Sequence, residues 1–390
     1  AVELRNRVRY RLGVELTIAE IFRAPLAELV TRVRALGGAS VGTGQGGDPA
    51  VTGAGRASGG VEEDAELVVA GEVGAEFPLT PIQEAYWVGR QEGALGGIAC
   101  HFFQEFEGPG LDLARLGAAL DVVIARRDAL RLVLTADGRQ RVLAEVPAFA
   151  IEAADLRGLA EDEVQVRLAA TREALAHAAR PIEVWPLFTV QASLLPGDRV
   201  RLHVDFDLLL ADSQSLRLVM EDWRRAYLGE PLPPLPPLDF RRCTLAWAQQ
   251  RDEPRRQRDL EYWMARRPTF SPAPALPLAV EPARLGRPRH TRRQGGLGRE
   301  GWSRLRAACR ARGLTPALVL CAAYVEVLLR WSDSEAFLLN MTHFTRPPVH
   351  PRVGEVVGDF TSLLFLEVRR GGAEGFAAGA RALQEQLREH

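Results

Sequence analysis

Between Arg199 and Asp207 the chain alternates strictly. Val200, Leu202, Val204 and Phe206 fall on one side of an extended chain, and Arg201, His203, Asp205 and Asp207 on the other. That period of two predicts a β-strand that aims a polar row at something. Leu216, Val219, Met220, Trp223 and Tyr227 then recur at three and four residues, which predicts a helix starting near Ser213 to Ser215. Upstream, Leu116, Leu120, Val123 and Ile124 mark a helix from Leu113 to Leu130 with Asp112 as its cap, and His101 to Phe106 reads as a strand. Downstream, Leu314 to Trp331 reads as a helix with Thr315 at the cap and Pro316 in the first turn. Phe337 to Phe344 and Thr361 to Val368 read as strands, and the run TSLLFLEV predicts that the second is buried on both faces. The mixture is α/β.

The pattern also divides the chain. Residues 1–37 hold short amphipathic helices, and residues 38–75 shift to Gly, Ala, Ser and Thr, the composition of a flexible linker. Globular patterning resumes at residue 76. The Pro-rich stretch Pro231 to Pro237 reads as a boundary between a first lobe, 76–238, and a second, 239–390.

Composition narrows the chemistry. Among 390 residues, 49 basic and 50 acidic side chains give a formal charge of -1, so no global field draws in nucleic acid or an anionic membrane. Every basic position is arginine, which excludes a Schiff-base or P-loop lysine. Leu314 to Leu329, the longest apolar run, is interrupted by Glu326 and is too short to span a bilayer, and no secretion signal opens the chain. The expectation is a cytoplasmic protein with no membrane segment. Cys100, Cys243, Cys309 and Cys321 lack metal-ligand spacing and read as buried thiols, with no metal site.

The most informative segment is HVDFDLLLADSQSL, in which Asp207, Asp212 and Ser215 form D-x-x-x-x-D-x-x-S at the strand-to-helix turn. Polar groups at such a junction can face a cleft. They also suit a plain structural role, with Asp212 or Ser213 as helix cap and Ser215 as a first-turn hydroxyl.

This spacing resembles the signature of the heterocyclization domains of nonribosomal peptide synthetases, a branch of the condensation-domain superfamily. Other segments resemble that family's motifs in order: FPLTPIQEAYWVGR from Phe77, RRDALRLVLTADGRQ from Arg126, APALPL from Ala273, TPALVLCAAYVEVLLRW from Thr315 and GDFTSLLFL from Gly358. Arg127 departs from the pattern, standing where the family usually has His. Residues 1–37, with AVELRNR, LGVEL and IFRAPLAELV, resemble the end of an acyl or peptidyl carrier domain. The carrier's phosphopantetheine serine would lie before Ala1.

The resemblance implies two chloramphenicol-acetyltransferase-like lobes in a V-shaped pseudo-dimer, with the second lobe incomplete at His390. It implies amide formation between a carrier-bound acyl donor and a carrier-bound Cys, Ser or Thr, then cyclodehydration to a thiazoline or oxazoline. No cofactor binds directly; 4'-phosphopantetheine arms come from upstream and downstream carrier domains, with an adenylation domain adjacent. Ordinary condensation domains carry H-H-x-x-x-D-G, and alignment puts Asp207 and Leu208 at the two His positions and Asp212 on the shared Asp. The carried-over site is Asp207, Asp212, Ser215 and Asn340 as candidate catalytic residues. Thr80, Arg90, Thr342, Arg346, Asp359 and Thr361 are candidates for lining the tunnel or holding its structure. His203 fits a hydrogen-bonded strand histidine better than a base, and Tyr86 and Trp87 read as core. A domain that stops at the amide, or a carrier-docking module without catalysis, stays open as an alternative.

Overall fold

The computed structural model describes residues 74–91, 98–249, 253–281, 284, 290, 291, 293, 295–371 and 375–389. The carrier-like segment 1–37 and residues 38–73 of the linker lie outside them. The described chain packs as two units, residues 74–246 with Pro347–Asp359, and residues 247–346 with 360–389.

The first unit begins with β1 (Phe77–Pro78), α1 (Pro81–Gly89), β2 (His101–Pro109) and α2 (Leu113–Arg126). Then come β3 (Leu132–Leu134), β4 (Arg139–Val142), β5 (Glu152–Asp155), α3 (Glu161–Ala176), β6 (Phe188–Leu195), β7 (Arg199–Asp207), α4 (Ser213–Leu228) and α5 (Phe240–Gln249). The main sheet runs β2-β7-β6-β5, antiparallel except for the parallel β5/β6 pair, and a small sheet runs β1-β4-β3. Asp112 caps α2 as its side chain accepts from Arg115 N at 3.0 Å. The helix ends four residues before the expected Leu130, because Arg127 turns to φ -106, ψ 102 and a 3-10 turn, Asp128–Arg131, follows.

The alternation in β7 is real, and both of its faces are buried. Phe206 stacks on Phe188 at 5.0 Å within the apolar core. On the other face His203 and Asp205 are fully covered, and Asp207 is 1% exposed. Helix α3 lies over that polar row, with Arg172 Nε 2.9 Å from Glu105 Oε2 and the Ala176 carbonyl 3.0 Å from His101 Nε2.

The Pro-rich stretch lies on the first unit, and the division by packing falls within α5, between Ala246 and Trp247. The reason is local. Phe240 is fully buried with its ring 6.2 Å from that of Phe77. A polyproline stretch offers carbonyls and few N–H groups, and arginines supply the donors. Arg126 donates to Pro233 O, and Arg352 to Pro234 O at 2.9 Å and Leu235 O at 3.3 Å.

The second unit holds α6 (Glu253–Arg266), α7 (Arg299–Ala311), α8 (Pro316–Trp331), β8 (Ala336–Phe344), β9 (Thr361–Arg369) and α9 (Phe376–Glu389). Its core gathers Leu318, Ala322, Val325 and Leu328 of α8 with Phe337, Leu366, Val368 and Leu383. Strand β9 is not buried on both faces as its apolar run predicts. Among the described residues it pairs only with β8, and Leu363 is 40% exposed. Two cysteines likewise depart from the expected burial: Cys100 is exposed just ahead of β2, and Cys321 is half-buried on α8. Among the described residues no single helix is long and apolar enough to cross a membrane.

Candidate functional site

The end of β7 and the start of α4 hold three of the four candidate catalytic residues, and each has a definite local task. Asp207 forms an ion pair with Arg90, the residue just past α1, and its Oδ1 accepts from Leu209 N at 3.0 Å. Burial pushes the Asp207 carboxyl above the usual carboxylate range, while the Arg90 charge and the Leu209 amide pull it back. Asp212 caps α4, its Oδ1 accepting from Ser215 N at 2.7 Å, and its own N–H donates to Gly358 O at 3.2 Å. The Ser215 hydroxyl, fully buried, donates to Gly358 O at 2.8 Å and accepts from Gly358 N at 3.1 Å.

The motif therefore fastens a distant segment. Pro347–Asp359 returns onto the first unit and is held along its length. Gln214 Nε2 donates to Gly354 O at 2.8 Å, and Arg127 Nη1 to Glu355 O at 2.9 Å. Gly358 comes so close to Phe240 that a Cβ there would lie 2.0 Å from the ring. Asp359, next in the chain, is buried.

Thr80 serves its own helix. Its hydroxyl accepts from Gln83 N at 3.4 Å while Gln83 Oε1 accepts from Thr80 N at 2.9 Å, a reciprocal capping box. The remaining candidates belong to the second unit. Asn340 and Thr342 are exposed and, two apart on β8, share a face. The Arg346 guanidinium lies 4.3 Å from the Phe360 ring centroid. Thr361 opens β9 opposite Phe344 of β8.

Further buried polar residues, outside the candidate site set, hold the elements of the first unit together. Arg127, in place of the family's His, is 5% exposed and donates from Nε to Asp222 Oδ2 of α4 at 2.8 Å, so it locks α2 to α4. Its signal was the departure itself. Asp205 is fully buried and receives Arg180 and His101, the latter at 2.5 Å. Its polar place in the alternating strand was visible; its partners lie distant in sequence. His203 is the hydrogen-bonded strand histidine expected, with Nε2 3.0 Å from Ser193 Oγ and Nδ1 3.1 Å from Glu105 Oε1. Burial pulls its imidazole below the ordinary histidine value. Among the described residues no group of three or more His, Cys, Asp or Glu is placed to hold a metal ion.

The condensation-domain family profile matches residues 73–390, and this chain belongs to that family. It is 42% identical over 320 residues to phenyloxazoline synthase MbtB of Mycobacterium tuberculosis, covering 81% of this chain and 22% of that protein. To pyochelin synthetase PchF of Pseudomonas aeruginosa it is 38% identical over 316 residues, covering 80% of this chain and 17% of that protein. The chain thus spans about a fifth of the length of these relatives. Among solved structures, the EpoB NRPS cyclization-docking bidomain of Sorangium cellulosum superposes with a TM-score of 0.75 at 31% identity, covering 100% of this chain and 77% of that one. The mixed α/β fold is that of the condensation-domain structures.

Proposed function

We propose that this chain is the heterocyclization domain of a nonribosomal peptide synthetase. It joins an upstream carrier-bound acyl or peptidyl thioester to a carrier-bound Cys, Ser or Thr, then cyclodehydrates the amide to a thiazoline or oxazoline. The observation that carries the reading is Asp207. Where condensation domains that stop at the amide have the first of two histidines, this chain has a buried carboxylate paired to Arg90. Leu208 stands at the position of the second. The similarity to a phenyloxazoline synthase and to a cyclization bidomain supports the same assignment.

The first step needs little more than positioning. The acceptor amine attacks the donor thioester, and holding both tethered reactants together removes most of the entropic barrier. The side-chain thiol or hydroxyl then attacks the new amide carbonyl, and the hydroxylated five-membered ring loses water, a step that needs a proton donor at the departing hydroxyl. Asp207, Asp212 and Ser215 act mainly as positioning residues, fixing the turn and the Gly358–Asp359 segment. Asn340 serves ring closure. Thr342, Arg346, Asp359 and Thr361 line the substrate path or shape it. The partners are upstream and downstream carrier domains bearing 4'-phosphopantetheine arms, with an adjacent adenylation domain, in the cytoplasm.

The test is to incubate the full-length protein with both loaded carriers and weigh the released product. Loss of two waters relative to the free acids is the expected result. Loss of one identifies a domain that stops at the amide, and carrier binding without product identifies a docking module.

A further inference from the structure

We propose that the second unit binds a small amphipathic carboxylate in a cavity between α8, α9 and the end of β9, its apolar body lying among small side chains and its carboxylate on Arg266 and Arg330. None of the candidate functional residues lines this cavity, and every wall belongs to the second unit. The site therefore stands apart from the heterocyclization reading.

The cavity holds about 810 Å³, within the range of small-molecule sites. Its apolar wall comes from Ala322, Val325 and Leu329 of α8, Val368 of β9, and Gly379 and Leu383 of α9. Small residues on both helices leave room that larger side chains would fill. Gly379 is the clearest case, because a Cβ built there would meet nothing within 4 Å. Ala382, nearly one turn on, borders the same space.

The polar lining selects the charge of the ligand. Arg266, Arg330 and Arg369 stand against Glu326 and Glu367. Glu367 is already engaged, its Oε1 accepting from Arg266 Nη2 at 2.8 Å and its Oε2 lying 3.8 Å from Arg369. Arg266 also donates from Nη1 to the Tyr262 hydroxyl at 2.9 Å, which fixes the guanidinium, yet its Nε is buried with no hydrogen-bond partner. A buried donor left open is costly, and an acceptor on a ligand relieves it. Arg330 is exposed and pairs with none of the described carboxylates. Spare guanidinium donors beside an apolar wall match a carboxylate at the end of a hydrocarbon body. An ammonium would meet the same arginines as like charge, and a bare phosphate would leave the apolar wall wet.

Isothermal titration of the full chain with octanoate, octanol and octylamine, each below its micelle-forming concentration, tests the site. Octanoate is expected to bind saturably and about tenfold more tightly than the other two, the scale of one hydrogen bond to a charged group. Arg330→Gln should weaken octanoate about tenfold and leave octanol unchanged. Gly379→Leu should abolish saturable binding by filling the cavity, with no fall in melting temperature, since leucine favours a helix over glycine. Should that variant unfold, Ala382→Phe narrows the same space and takes its place. Octanol or octylamine binding as tightly as octanoate overturns the carboxylate assignment, and so does an Arg330→Gln variant with wild-type affinity. Octanoate binding that survives the filled cavity, or no saturable binding at all, overturns the site.

Discussion

Strands β7 and β8 both carry candidate functional residues at alternate positions, yet their polar rows meet opposite fates. On β7 the row is buried and wired. His203 bonds Ser193, Asp205 takes Arg180 and His101, and Asp207 takes Arg90. On β8 the corresponding residues, Asn340 and Thr342, are exposed. A buried charge left without its partner is expensive, whereas an exposed amide or hydroxyl falls back on water. The two strands therefore answer different questions. A substitution on the first unit's wired face reads out folding before anything else, whereas one at the exposed Asn340 or Thr342 leaves folding little changed.

The contrast is sharpest at the buried ion pairs. Arg127→Met leaves Asp222 buried beside only Arg126, whose Nε is 3.4 Å away. The expected loss is about 3–5 kcal/mol, the usual penalty for removing one partner of a buried pair. Urea denaturation followed by tryptophan fluorescence would measure it, and a midpoint unchanged from wild type would show that the pair is dispensable. A smaller effect is expected at the clamp. Ser215→Ala removes both hydroxyl bonds to Gly358 and should destabilise by about 1–3 kcal/mol, with activity falling in step with the fraction folded. Activity lost with stability intact would instead make Ser215 a chemical participant. The smallest stability change is expected for Asn340→Ala, within about 0.5 kcal/mol as for ordinary surface substitutions. Its azoline yield should fall while the melting temperature holds. A melting shift as large as that of Ser215→Ala would erase the distinction between the strands.

Much of the first unit was legible because its local signals agree. The alternation over Arg199 to Asp207, the cap at Asp112 and the stripe from Leu216 to Tyr227 each match an observed element. Thr315 and Pro316 likewise open α8 as expected, with Thr315 Oγ1 accepting from Leu318 N at 3.4 Å. What escaped was decided by partners far away in sequence. The return of Pro347–Asp359 onto α4 joins residues about 140 apart, such as Gln214 and Gly354, and no local period announces that. The apolar run of β9 suggested cover on both faces, but burial depends on what packs against a strand, and its own sequence does not carry that information. The candidate site was legible as a motif and not as a set of tasks. D-x-x-x-x-D-x-x-S marked the strand-to-helix turn, whereas the ion pair of Asp207, the cap of Asp212 and the clamp of Ser215 needed coordinates to be told apart.

Gly358 sets a hard limit on what the return segment can become. Its backbone rests on the face of Phe240 with room for a hydrogen and nothing larger. Even a methyl group would lift the strap off its seat and draw Asp359 away from the turn that Ser215 and Asp212 anchor. The depth of that seat is thus written in one missing side chain, and any redesign of the loop's neighbours has to begin by leaving it bare.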